Sequence, residues 1–194
     1  SSGMKLEGPG SDAPAGAVDA VAPLPLFIEA ERLSPSLTVR EWVVGSPRRN
    51  ARHHLVLLHA GRGRVVLDET VVDLDGPCIA WLPAGWARRI RIEAGAGGHI
   101  LSVAEEVVAR AVGSGPDAAA LRQVADRVIL VPAGSSERYL GDLAGGCDSI
   151  ARELADGAPG SLEAVAAHVG LALIWIWRLS GIEAGIPGVR RTTT

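Results

Sequence analysis

The chain has 194 residues, 47% of them hydrophobic and 21% charged, with a formal net charge of -3. That is an ordinary globular composition, long enough for one domain with a real core or for a small barrel carrying a helical appendage. The negative balance excludes a grip on nucleic acid or on an anionic membrane by bulk charge.

Residues Ser1–Ala22 are rich in Gly, Ala, Pro, Ser and Asp and hold no apolar core, so no secretory leader is read there. Ser1-Ser2-Gly3 before Met4 reads as vector-derived, and residues 1–25 are expected to form a flexible arm, since they bury too little to offset their conformational entropy. Order is expected from Leu26. Short runs rich in Val, Leu and Ile, bounded by Gly, Pro or Asp, then predict strands over Thr38–Val44, His54–His59, Arg64–Asp68, Thr70–Leu74, Cys78–Leu82, Ala87–Glu93 and His99–Val103. Ser46–Asn50 reads as a loop. Helices are predicted over Glu105–Val112 and Asp117–Arg127, and the β-branched run Val128–Val131 is placed back on the sheet.

Helical spacing continues through Ser136–Ala155, where Gly145-Gly146 is expected to loosen the helix. After Pro159-Gly160 a last helix runs from an Ser161 N-cap to Leu179 and stops at Gly181. Its most apolar run, Val169–Leu179, is shorter than the roughly 20 residues that span a bilayer. No membrane partner and a cytoplasmic location are therefore expected. The two cysteines, Cys78 and Cys147, lie far apart and offer no metal-ligand spacing, which suits a reducing compartment.

Period-two alternation puts Arg88 on one strand face with Ile90 and Ile92. If that face is interior, the guanidinium needs a carboxylate, from the protein or from an anionic ligand; otherwise it snorkels to water at a barrel mouth. His54 alternates with Val56 and Leu58, and His53 and His59 take the opposite face with Leu55 and Leu57, where both read as structural. For Trp42, Trp81 and Trp86 two readings stand, rings stacked on a planar effector or rings packed in the core. Leu171–Trp177 is apolar around its whole circumference, so one barrel surface cannot cover it. Leu171, Ile174, Trp175 and Trp177 are expected in a homodimer seam between C-terminal helices. There is no Cys-His or Ser-His pairing at a motif, no phosphate loop and no carboxylate pair on one strand; Asp73 and Asp75 read as turn residues.

Glycine turn Gly61-Arg62-Gly63 followed by Pro83-Ala84-Gly85 resembles a cupin, which implies a mostly β fold, a double-stranded β-helix or jelly-roll barrel. Metal-binding members of that family would carry His and Glu ligands where this chain holds Arg48, Asn50, His54 and Arg88. Arginine has no lone pair to offer, so no metal and no cofactor is expected. With the segments His54–Gly63 (HLVLLHAGRG), Gly76–Gly85 (GPCIAWLPAG) and Ile174–Gly181 (IWIWRLSG), the chain resembles the effector-binding half of AraC-family transcription regulators. The resemblance implies a cupin-like barrel with a helical insertion over residues 26–133, a helical dimerisation subdomain over 134–181 and a truncated linker over 182–194. It also implies a small-molecule effector in the barrel, for which Arg88, His54, Trp42, Trp81 and Trp86 are the candidate contacts read from the strands, and DNA contact only through a domain missing from this chain. Ser161–Leu171 (SLEAVAAHVGL) mimics the start of a helix-turn-helix, but Ala172–Trp177 offers no polar side chain for base edges. A small cupin enzyme of isomerase or dioxygenase type, working through His54 and Arg88, and a ligandless dimeric module with a filled barrel remain the alternatives.

Overall fold

The computed structural model describes residues 27–44, 52–133 and 137–181; the expected arm, the loop with Arg48 and Asn50, and the expected linker lie outside the described residues. In chain order the elements are β1 (Ile28–Leu33), β2 (Arg40–Val43), β3 (Arg52–Ala60), β4 (Arg62–Leu67), β5 (Thr70–Asp75), β6 (Cys78–Leu82), β7 (Ala87–Ile92) and β8 (Gly97–Ala104), then α1 (Glu105–Val112), α2 (Ala118–Ala125), β9 (Ile129–Pro132), α3 (Glu137–Asp156) and α4 (Ser161–Ser180).

The strands pair as one long hairpin folded over itself. Its tip is the turn between β4 and β5, where Asp68 takes a left-handed φ of 47° in a two-residue loop. Moving back from the tip, β3 pairs with β6, β2 with β7 and β1 with β8, all antiparallel. Pairing of β3 with β8 and of β4 with β7 then splits the hairpin into two sheets, ordered β1-β8-β3-β6-β9 and β2-β7-β4-β5. This is a jelly roll, as the cupin resemblance implies. The sequence does not announce β1, whose IEAERL has no buried run; it exists because each of its residues is registered against β8, from Ile28 opposite Val103 to Leu33 opposite Gly98.

Alternation along β3 sorts the core into two layers. Val56 and Leu58 point between the sheets with Val65, Leu67, Leu74, Leu82, Ile90, Ile92 and Ile100. Leu55 and Leu57 point the other way, into a second core shared with Trp81, Leu101, Val107, Val124, Leu143, Ile150, Val169, Leu173 and Ile176. The helices thus cover the outer face of the five-stranded sheet, and β9 returns to its edge beside β6.

Helix α4 is 20 residues long and apolar enough, by composition alone, to cross a membrane. Here it is held against α3, α1, α2 and β9, with Val165, Val169, Leu173 and Ile176 buried at roughly 1.5–3 kcal/mol each. Only part of its circumference is buried within the chain, and Leu171, Ile174, Trp175 and Trp177 stay exposed or half-buried. Gly170 is part of this packing: a Cβ there would lie 3.2 Å from the Ala111 carbonyl oxygen, so its lack of a side chain lets α4 approach α1. The segment is one unbroken helix, with no helix-turn-helix turn. Two further expectations are corrected. Gly145 and Gly146 do not interrupt α3. Gly160, at φ 83°, is the N-cap of α4, while Ser161 Oγ donates back to the Ala158 carbonyl at 2.7 Å.

Candidate functional site

Among the described residues, the side chains between the two sheets, where an effector is expected, are mostly aliphatic and at most a few per cent exposed. His54 lies in this layer, as its alternation requires. Its Nδ1 shares a hydrogen bond with Ser102 Oγ at 2.7 Å, and burial, helped by the charges of Arg52 and His53, pushes its pKa down to about 4. It is a neutral core histidine at physiological pH. Trp42 and Trp86 are half-buried and pack against the same layer.

Arg88 does not face inward. The register between β4 and β7 slips at this point, Val66 standing opposite Arg89 but Leu67 opposite Ala87. Arg88 is the extra residue of that β-bulge, and a bulge breaks the alternation. Ala87 takes the buried place, and Arg88 donates from Nε (2.9 Å) and Nη2 (2.8 Å) to Asp68 at the hairpin tip, with its side chain 43% exposed. The argument for an anionic pocket around Arg88 loses its basis. Trp81 is also displaced from the expected site: it is fully buried under the helices, stacked on His53 (5.6 Å between centroids), with Nε1–H donating to the Ala125 carbonyl at 3.0 Å.

The polar groups gather on the helix side of the sheet. The Ala84 amide donates to His53 Nδ1 (3.3 Å), which leaves Nε2–H to donate to Glu105. Burial holds the His53 pKa below its ordinary value against the pull of Glu105. Burial raises the Glu105 carboxyl, but hydrogen bonds from Arg122 and His53 outweigh it and hold the pKa below normal. Arg122 grips Glu105 through Nη1 (2.7 Å) and Nη2 (3.3 Å) and also binds Asp126 at 2.7 Å. Trp86 and Pro83 border the same shallow depression. Both His53 nitrogens are committed, so the group staples α1 and α2 to the Pro-Ala-Gly turn instead of serving as a free base. A second chain runs from Asp148 on α3, through His99 Nε2 (2.9 Å), to His59 Nε2, 3.2 Å from His99 Nδ1. It pins α3 to β8.

Beside that pin is an open cleft of about 210 Å³. Its floor is Leu55 and Leu101 of the sheet, and its walls are Leu143, Gly146, Cys147 and Ile150 of α3 and Ala172 and Trp175 of α4. Asp142, Ser149 and His168 form the rim with Leu171. The walls follow from helical spacing: His168, Leu171, Ala172 and Trp175 stand three or four residues apart on α4 and share a face. Trp175 is braced by Tyr139 at 5.6 Å and by the Arg178 guanidinium 4.9 Å from its ring. Burial pushes the Cys147 thiol up to about 12, so it is a protonated apolar wall and not a nucleophile. Of the residues expected in a dimer seam, Trp175 lines the cleft, Leu171 is 47% exposed at its rim, and Ile174 and Trp177 are half-buried against the core. Among the described residues no group of three or more His, Cys, Asp or Glu side chains is placed to hold a metal ion. The links that join different elements in the His53 and His99 networks carry no sequence signature, because Arg122–Glu105, His99–Asp148 and His53–Glu105 lie 17 to 52 positions apart.

No protein-family profile and no curated protein matches the chain. Solved structures align with parts of it at low identity. ToxT from Vibrio cholerae O395, bound to (E)-4-(8-methylnaphthalen-1-yl)but-3-enoic acid, aligns with 84% of this chain and 58% of its own, at 9% identity and a TM-score of 0.46. The AraC-like transcriptional activator CuxR aligns with 80% of this chain and 53% of its own, at 16% identity and a TM-score of 0.45. Oxalate decarboxylase from Bacillus subtilis aligns with 41% of this chain and 20% of its own, at 16% identity and a TM-score of 0.27. The chain spans little more than half the length of the CuxR and ToxT chains it matches.

Proposed function

We propose that this chain is a non-enzymatic, cytoplasmic sensing and dimerisation domain of the AraC-type regulator kind, with DNA contact made by sequence outside it. The observation that carries the reading is the cleft between the sheet and the α3–α4 pair. A small molecule seated there touches both helices at once. α3 is anchored at Asp148, next to the cleft residues Cys147 and Ser149, so a ligand acts on how α4 lies against an already pinned neighbour. A ligand with different affinity for two such arrangements shifts their populations, and the exposed side of α4 reports the shift to a second copy. Leu171, 47% exposed and flanked by half-buried Ile174 and Trp175, is the centre of that expected contact.

Analytical ultracentrifugation at micromolar concentration tests this. The expected result is a dimer for the wild type and a monomer for Leu171→Glu, with an unchanged circular dichroism spectrum because the side chain is not core. A monomeric wild type, or a dimer indifferent to Leu171→Glu, would remove α4 as the dimer seam.

A further inference from the structure

The cleft has a size and a polarity that select among ligands. Its volume of about 210 Å³ exceeds the roughly 150 Å³ of an apolar cavity that takes benzene, and falls below the range of drug-sized pockets. One aromatic ring with a short substituent fits, and a long acyl chain does not. The walls are aliphatic apart from Trp175, whose ring offers a stacking surface. The mouth has one formal charge, Asp142, which is exposed and makes no ion pair or side-chain hydrogen bond among the described residues. The other rim groups are Ser149 and His168, and no Lys or Arg lines the cleft. A carboxylate head would meet the Asp142 carboxylate, whereas a hydroxyl or amine can donate to it.

Gly146 is the second feature that shapes the site. It sits in the middle of α3, where glycine costs helix stability relative to alanine, yet a Cβ at this position would meet nothing within 4 Å. The room it leaves is part of the cleft. We infer that the cleft between β3, β8, α3 and α4 binds a single-ring aromatic molecule with a hydrogen-bond-donating head, the ring between Gly146 and Trp175 and the head at Asp142. This rests on the sensing reading for its consequence, not for the binding itself.

Ligand-observed NMR and calorimetric titration of the whole chain with four probes test the assignment: p-cresol, benzylamine, benzoate and octanoate. The expected dissociation constant for p-cresol is on the order of 0.1–1 mM, reasonable for eight heavy atoms. Benzylamine should bind at least as well. Benzoate should bind about tenfold more weakly or not at all, and Asp142→Asn should erase most of that difference. Gly146→Phe, which fills the cleft from α3, should abolish p-cresol binding, and Ala172→Leu fills it from α4 should the first variant not fold. Gly146→Ala should keep binding and raise the melting temperature. Benzoate or octanoate binding as tightly as p-cresol, or p-cresol binding that survives both filling variants, overturns the proposal. No p-cresol or benzylamine binding up to 10 mM, roughly tenfold above the expected range, also overturns it. Binding that follows the expected pattern while sedimentation stays the same with and without p-cresol upholds the ligand class and overturns the sensing reading.

Discussion

Along β3, neighbouring side chains enter two different environments. His54, Val56 and Leu58 go between the sheets, where the packing is aliphatic and His54 is kept neutral by burial. His53, Leu55, Leu57 and His59 go to the helix side, where Glu105, Arg122, Asp126, His99 and Asp148 form bonded networks and a cleft stays open. Among the described residues the inner layer is packed with aliphatic side chains. The outer layer is closed by helices, and between them and the sheet a cleft stays open, lined in part by the small residues Gly146 and Ala172.

The largest effect that separates the two layers is expected from Trp81→Ala. The ring is fully buried on the helix side, stacked on His53 and bonded to the Ala125 carbonyl. Its loss should cost about 3–5 kcal/mol, or on the order of 10 °C in melting temperature for a chain of this length. A loss below about 1 kcal/mol in urea denaturation would show that the ring is not part of the packed seam.

Next in size is the pH response of the inner layer. His54 has an ordinary pKa of 6.5 when unfolded and about 4 when folded. Above pH 6.5 both states are neutral and its contribution is constant. As pH falls from 6.5 towards 4 the unfolded chain takes the proton and the folded one does not, so stability is lost, by up to about 3 kcal/mol, and the loss levels off below 4. His53 shifts in the same direction, so the comparison must isolate one residue. The difference in unfolding free energy between wild type and His54→Gln should narrow steadily between pH 7 and pH 4. Parallel pH curves for the two proteins would place His54 in contact with water.

The smallest effect is at Arg88. Paired with Asp68 on an exposed turn, it should contribute about 0–1 kcal/mol, and Arg88→Ala should denature within that margin of the wild type. A loss above about 2 kcal/mol would mean that the guanidinium is buried after all and that the bulge is absent.

How far the sequence could be read varies by element. Strand β6 was bounded to the residue as Cys78–Leu82, and α1 as Glu105–Val112, because turn residues and period change at their ends. β9 was legible as a β-branched run. Strand β1 was not, since its half-buried pattern acquires meaning only from β8. The five residues of β6 are all buried, so alternation carried no sign of which layer Trp81 would enter. At Arg88 the alternation was present and misleading, because the bulge that breaks it is a property of the pairing with Leu67, twenty-one positions away.

The sequence by itself determined the local pattern: where strands and helices run, which residues of β3 share a face, and that α4 needs cover around its circumference. These are short-range consequences of turn chemistry and of the 2.0 and 3.6 residue periods. Only the tertiary structure decided what covers each face. It put α1, α2 and α3 around α4, aliphatic packing between the sheets, Asp68 beside Arg88, and open space beside Gly146. Register and layer packing depend on partners distant in the chain, and no local period records them.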